Sequence, residues 1–223
     1  MKKGLLKEAL IKYVSGLILV GLLVFVPAWT LKWSHGWLFM ALLFIPMFFA
    51  GILMYYKDPA LLESRLKAKE TQKEQKDVIN YSGIMFMAAF ILAGLNYRFG
   101  WTVLPKGVVI AACIIFLLAY LMFAEVLREN SFLSRTIEVK EEQTVVDTGL
   151  YGIIRHPMYT ATIFLFLSMP LILGSLPSFI VMLLYIPIIV KRIRNEEDVL
   201  EKELKGYKEY KEKVRYRLFP HIW

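Results

Sequence analysis

Six apolar stretches alternate with short charged segments, and that alternation constrains the fold more than any other feature. They run roughly over residues 10–31, 36–56, 79–97, 107–127, 157–173 and 176–190. The first four are long enough to cross a bilayer, which takes about 20 helical residues. The last two are shorter, and only the segment from Gly174 to Pro177 joins them. That spacing predicts a tight helical hairpin. Hydrophobic residues make up 57% of the chain, too many for a soluble domain. The expected fold is therefore an all-α integral membrane protein of about six transmembrane helices. A short C-terminal helical hairpin and an amphipathic cytoplasmic tail helix complete it. The basic, then apolar N-terminus has the order of a signal peptide. Its apolar part is too long and a second span follows at once, so a retained first helix is expected.

The net charge of +8 would suggest nucleic acid in a soluble protein. Here the basic residues fall in blocks between spans. Of the 27 lysines and arginines, only Lys32, Arg98 and Lys106 lie in the alternate loops. The bias predicts both termini in the cytoplasm, and no nucleic-acid partner is expected. It also sets Arg155-His156-Pro157 and the charged tail on one membrane face.

The single cysteine, Cys113, and three scattered histidines point to no metal site. No phosphate-binding loop, dinucleotide fingerprint or zinc-protease motif is present. In Gly149-Leu150-Tyr151-Gly152-Ile153-Ile154-Arg155-His156-Pro157-Met158-Tyr159, Pro157 fits the first turn of the fifth span. The residue before a proline favours extended backbone, so His156 should lead the chain straight into that helix. A helix start with Arg155, His156 and Tyr159 around it suits a polar or anionic ligand. It equally suits an interfacial anchor on lipid phosphate. Arg192 and Glu196 lie four apart at the end of the sixth span and can pair. The hairpin would bring them back beside His156 and Tyr159, gathering polar side chains at one membrane depth. Farther on, Tyr207, Tyr210, Arg215, Tyr216 and Arg217 could cover that site or lie on anionic lipid. Glu125, Arg128 and Glu129 form a weaker cluster. Asp58 and Pro59 should cap and open a surface helix with leucines on one side.

The order of these motifs, with Val145-Val146-Asp147-Thr148 ahead of the first, resembles the isoprenylcysteine carboxyl methyltransferase family. The resemblance covers about Asn130 to Trp223. It implies a membrane methyltransferase that uses S-adenosyl-L-methionine and moves a methyl group to the carboxylate of a prenylated cysteine or similar lipophilic acceptor. The product would be S-adenosyl-L-homocysteine. Carried onto this chain, the cofactor residues are Gln143, Thr144, Val145, Val146, Tyr151, His156, Pro157, Tyr159 and Glu196. Arg192 takes the place of the arginine that orients the substrate carboxylate, with Glu196 beside it in the catalytic pair. Residues 1–128 would form the N-terminal transmembrane helices and 129–223 the catalytic region. The partners implied are a lipophilic acceptor entering from the bilayer and membrane lipids. The bacterial relatives point to a prokaryotic cell membrane. Ser131–Glu142 does not align with the eukaryotic members.

Three alternatives remain at this level. A lipid-amine N-methyltransferase would need Glu196, Glu197 or Glu125 as a base. A nicotinamide-dependent sterol-type reductase shares a related C-terminal pattern. A non-catalytic scaffold would use the polar border for stability alone.

Overall fold

The computed structural model describes residues 2–67, 73–130, 132, 139 and 143–223. Among these the regular structure is helical. In chain order come α1 (Lys2–Ala28), α2 (Ser34–Lys57), α3 (Pro59–Lys67), α4 (Lys73–Phe99) and α5 (Lys106–Glu129). A 3-10 turn (Gly149–Gly152) leads to α6 (Pro157–Ile172), α7 (Leu176–Met182), α8 (Tyr185–Glu203) and α9 (Tyr207–Lys213).

Five described segments are long and apolar enough to cross a membrane: 4–28, 34–57, 76–99, 106–129 and 176–203. The surface explains why a bilayer is needed. Leu19, Phe49 and Leu121 are 57%, 63% and 67% exposed, while Phe39 and Phe116 are fully buried. The outside is thus as apolar as the inside, which only lipid can solvate.

The hairpin follows the sequence in kind but not in length. α6, with 16 residues, spans about 24 Å, short of a hydrocarbon core of about 30 Å. The returning arm is longer than its apolar stretch. Only the turn residues Leu183 and Leu184 separate α7 from α8, and α8 runs on to Glu203. No glycine or proline interrupts residues 188–203, so nothing stops the helix where its hydrophobicity ends. Gly206 then takes a left-handed φ of +86° and turns the chain into α9.

Packing fixes the hairpin against the rest. α6 lies along α5, and α4 lies between α1 and α7. Val24, Trp33, Phe39, Phe116 and Ile172 share one buried cluster. Tyr159, Ile163, Met182, Ile189 and Ile193 share another that extends to Leu218 of the tail. At the closed end of the hairpin, buried Asn96 donates to the Thr102 carbonyl (3.1 Å) and the Gly174 carbonyl (3.3 Å). The Ser178 hydroxyl donates to the Ala89 carbonyl at 2.7 Å. These bonds satisfy polar groups inside the bundle and set the register of the turn. As expected, the Asp58 side chain caps α3 by accepting from Leu61 N at 2.9 Å, and Leu62 is buried.

Candidate active site

The open end of the hairpin is where charge enters the fold. Pro157 is the first residue of α6, and His156 precedes it with φ −125° and ψ 61°. Before it the chain pairs with the tail: Arg155 N donates to Tyr216 O and His156 N to Arg217 O, both at 2.9 Å. One turn on, the Thr160 hydroxyl donates to Leu218 O at 2.9 Å. The C-terminal segment is therefore stitched along the start of α6.

Glu197 is the hub of this seam. It is only 2% exposed. Arg155 Nε donates to its Oε1 at 2.8 Å, His156 Nε2 lies 3.1 Å from the same oxygen, and Arg217 Nε donates to Oε2 at 2.8 Å. Arg155 spends another nitrogen on the Val214 and Arg215 carbonyls, at 2.7 and 2.8 Å. Two of its three guanidinium nitrogens are thus bonded within the protein, and the side chain also lines the cleft described below. A buried carboxylate needs such partners, because an unpaired charge at that depth is costly.

Glu196, one residue earlier, faces the other way. The Tyr159 hydroxyl donates to Glu196 Oε2 and accepts from Arg192 Nε at 2.9 Å. The i, i+4 spacing allows Arg192 and Glu196 to pair. The structure joins them through a phenol from the facing helix instead. All three side chains line a cleft of about 820 Å³, counting its open mouth.

The other walls come from three places. Gln143, Thr144, Val145 and Val146 run as irregular backbone along one side. The 3-10 turn supplies Tyr151, and α8 with α9 supplies Leu200, Tyr207 and Tyr210. The turn is locked by Glu129 at the end of α5. Leu150 N donates to its carboxylate, at 3.0 and 3.3 Å to the two oxygens. Gly149 has φ +53°, and a Cβ there would sit 1.5 Å from Glu129 Oε1, so only glycine fits. Tyr210 Oη donates to the Tyr151 carbonyl at 2.8 Å, and Asn130 Nδ2 to the Tyr151 hydroxyl at 3.1 Å. Lys213 pairs with Asp147 at 2.6 Å and holds that carboxyl below its ordinary range. Burial pushes the Tyr151 phenol up to about 12 and the Tyr207 and Tyr210 phenols up as well. All three are neutral hydrogen-bonding groups at physiological pH.

Of the residues named from sequence, Gln143, Thr144, Val145, Val146, Tyr151, His156, Tyr159, Arg192 and Glu196 all line this cleft. Pro157 is fully buried behind the wall and acts by starting α6. The sequence reading passed over Asn130, Phe132, Met158, Leu200 and Leu204, which also line it. Sequence offered Glu197 only as a possible base and Glu129 only as part of a weaker cluster. For Glu197 a signal existed, since an acid followed by apolar Leu200 on the same helical face lies toward the bundle. The segment 131–142 lies outside the described residues apart from Phe132 and Val139.

Residues 108–202 match the model of the isoprenylcysteine carboxyl methyltransferase family. That span is under half of the chain, and over it the chain is similar to this family. The match begins in α5, ahead of the resemblance seen from Asn130, and ends before α9. It takes in the 3-10 turn, the hairpin and the Arg192–Glu196 pair, and it supports a membrane methyltransferase. A Delta(14)-sterol reductase, TM7SF2, of Mus musculus is 28% identical over 91 residues. That alignment covers 40% of this chain and only 22% of the reductase. The methyltransferase family match outweighs this partial likeness.

Proposed function

We propose that the chain is an S-adenosyl-L-methionine-dependent methyltransferase acting on the carboxylate of a prenylated cysteine or a similar lipophilic acceptor. The observation that carries the reading is the Tyr159 hydroxyl standing between Glu196 and Arg192 in the cleft wall. An acid and a guanidinium held on one phenol suit a zwitterionic donor on one side and an anionic acceptor on the other.

The donor set fits such a cofactor. Glu196 offers an acceptor for an ammonium, His156 and the irregular backbone of 143–146 offer polar contacts, and tyrosines offer faces for a flat ring. When bound, S-adenosyl-L-methionine supplies an electrophilic methyl carbon. The chain has to align the acceptor with that carbon and keep water away. Arg192 holds an acceptor carboxylate in a forked pair, with Tyr159 fixing the guanidinium. A carboxylate is already ionised at neutral pH, so no general base is needed. Alignment and a dry, low-dielectric border then carry the rate. Within this reading residues 129–223 do the chemistry and 1–128 form the membrane scaffold. The basic bias supports an orientation with both termini and the cleft on the cytoplasmic face.

The test is transfer of a radiolabelled methyl group from the donor to a farnesylated cysteine analogue by purified protein. Label that moves to the analogue in wild type and not in Arg192→Ala supports the reading. Label that moves only to phosphatidylethanolamine supports N-methylation of a lipid amine instead. A second reading, a nicotinamide-dependent reductase, rests on the partial likeness to the mouse sterol reductase. It requires NADPH to bind in place of the methyl donor.

A further inference from the structure

Tyr207 opens α9, beyond the end of the family match. Its ring packs with Leu204, Tyr210 and Val214, and it lines the cleft. The residue is only 4% exposed, and its hydroxyl is buried with no hydrogen-bond partner among the described residues. The other phenols of the wall are all bonded. Tyr151 Oη accepts from Asn130, Tyr159 Oη donates to Glu196, and Tyr210 Oη donates to the Tyr151 carbonyl. A buried hydroxyl left without a partner destabilises a fold, and phenylalanine would fill the same space without that cost. The lone hydroxyl therefore asks for a partner from outside the chain. The charged groups nearest in influence are Glu197, Glu196 and Arg155, with the Tyr210 phenol beside them. Arg155 and Glu197 are already committed to each other, and the Tyr207 side chain lines the cleft together with Glu196, so the cleft is where a further partner can be supplied.

We propose that Tyr207 is a ligand-binding residue whose hydroxyl bonds a polar group of the sulfur nucleoside held in the cleft. The tail is then a recognition element as well as a wall. This inference rests on the methyl-donor reading above.

The experiment is titration calorimetry of wild type and Tyr207→Phe with S-adenosylhomocysteine and with 5′-methylthioadenosine, which lacks the amino-acid end. The unliganded unfolding midpoint of both proteins is measured alongside. Losing one hydrogen bond should weaken S-adenosylhomocysteine binding about fivefold or more. The unliganded midpoint should stay level or rise, because the orphan hydroxyl is gone. Weakening of both ligands assigns the contact to the adenosine end, and weakening of S-adenosylhomocysteine alone assigns it to the amino-acid end. Equal affinity in the variant overturns the proposal. So does a lower unliganded midpoint, which would make Tyr207 a packing residue with a bonded hydroxyl. Failure of wild type to bind either ligand removes the donor reading and this inference together, an outcome visible without the variant.

Discussion

Replacing Glu197 with alanine should release the C-terminal tail. The carboxylate holds three basic side chains, but they do not count equally. The pair with Arg155 has both side chains 3% exposed, so deleting the acid strands a buried guanidinium. Breaking a buried pair from one side costs about 3–5 kcal/mol. The two carbonyls that Arg155 also reaches, Val214 and Arg215, hold the loss toward the lower part of that range. The Arg217 side chain is 28% exposed, so its share is screened and should be about 1 kcal/mol or less. Glu197→Ala should therefore lower the unfolding midpoint in detergent far more than Arg217→Ala. It should also expose the segment after Gly206 to limited proteolysis while the transmembrane helices stay intact. A Glu197→Ala protein with an unchanged midpoint and a protected tail would refute the reasoning. So would Arg217→Ala proving the more damaging of the two.

Three further outcomes follow from the site. Gly149→Ala should collide with the Glu129 carboxylate, shift Tyr151 and weaken nucleoside binding about tenfold or more, measured by calorimetry. Tyr159→Phe removes the hydroxyl between Arg192 and Glu196 and should lower kcat by up to about 100-fold with the fold retained, read by circular dichroism and initial rates. The rate–pH profile should be flat from about pH 6 to 9. The acceptor carboxylate is ionised throughout, and the Tyr151, Tyr207 and Tyr210 phenols, pushed upward by burial, stay protonated. A rate that climbs with pH over that window would instead mark loss of a proton from an amine nucleophile.

The parts of this fold written in local sequence were readable. Pro157 after His156 marked the start of α6, Asp58-Pro59 marked α3, and the short Gly174–Pro177 link made α6 and the following arm antiparallel. That one link was enough to bring Tyr159 and His156 beside Arg192 and Glu196. What local pattern could not carry was pairing across long separations. Arg155 and Glu197 stand 42 residues apart, and Leu150 and Glu129 stand 21 apart. Their meeting depends on where α5, α6 and α8 finally pack. Residues on one helix look like partners because spacing on a helix is visible, which is why Arg192 and Glu196 read as able to pair. The Tyr159 phenol between them comes from the facing helix and has no such signature. Glu196 and Glu197 are adjacent and alike in sequence, yet one lines the cleft and the other anchors the seam. Only the rotation of α8 against α6 separates their roles.

The most direct test of the account is calorimetric binding of S-adenosylhomocysteine and NADPH to the detergent-purified protein, in wild type and in His156→Ala. The account predicts that wild type binds S-adenosylhomocysteine and not NADPH, and that His156→Ala loses most of that affinity. Binding of NADPH without S-adenosylhomocysteine would contradict it and turn the cleft over to the reductase reading.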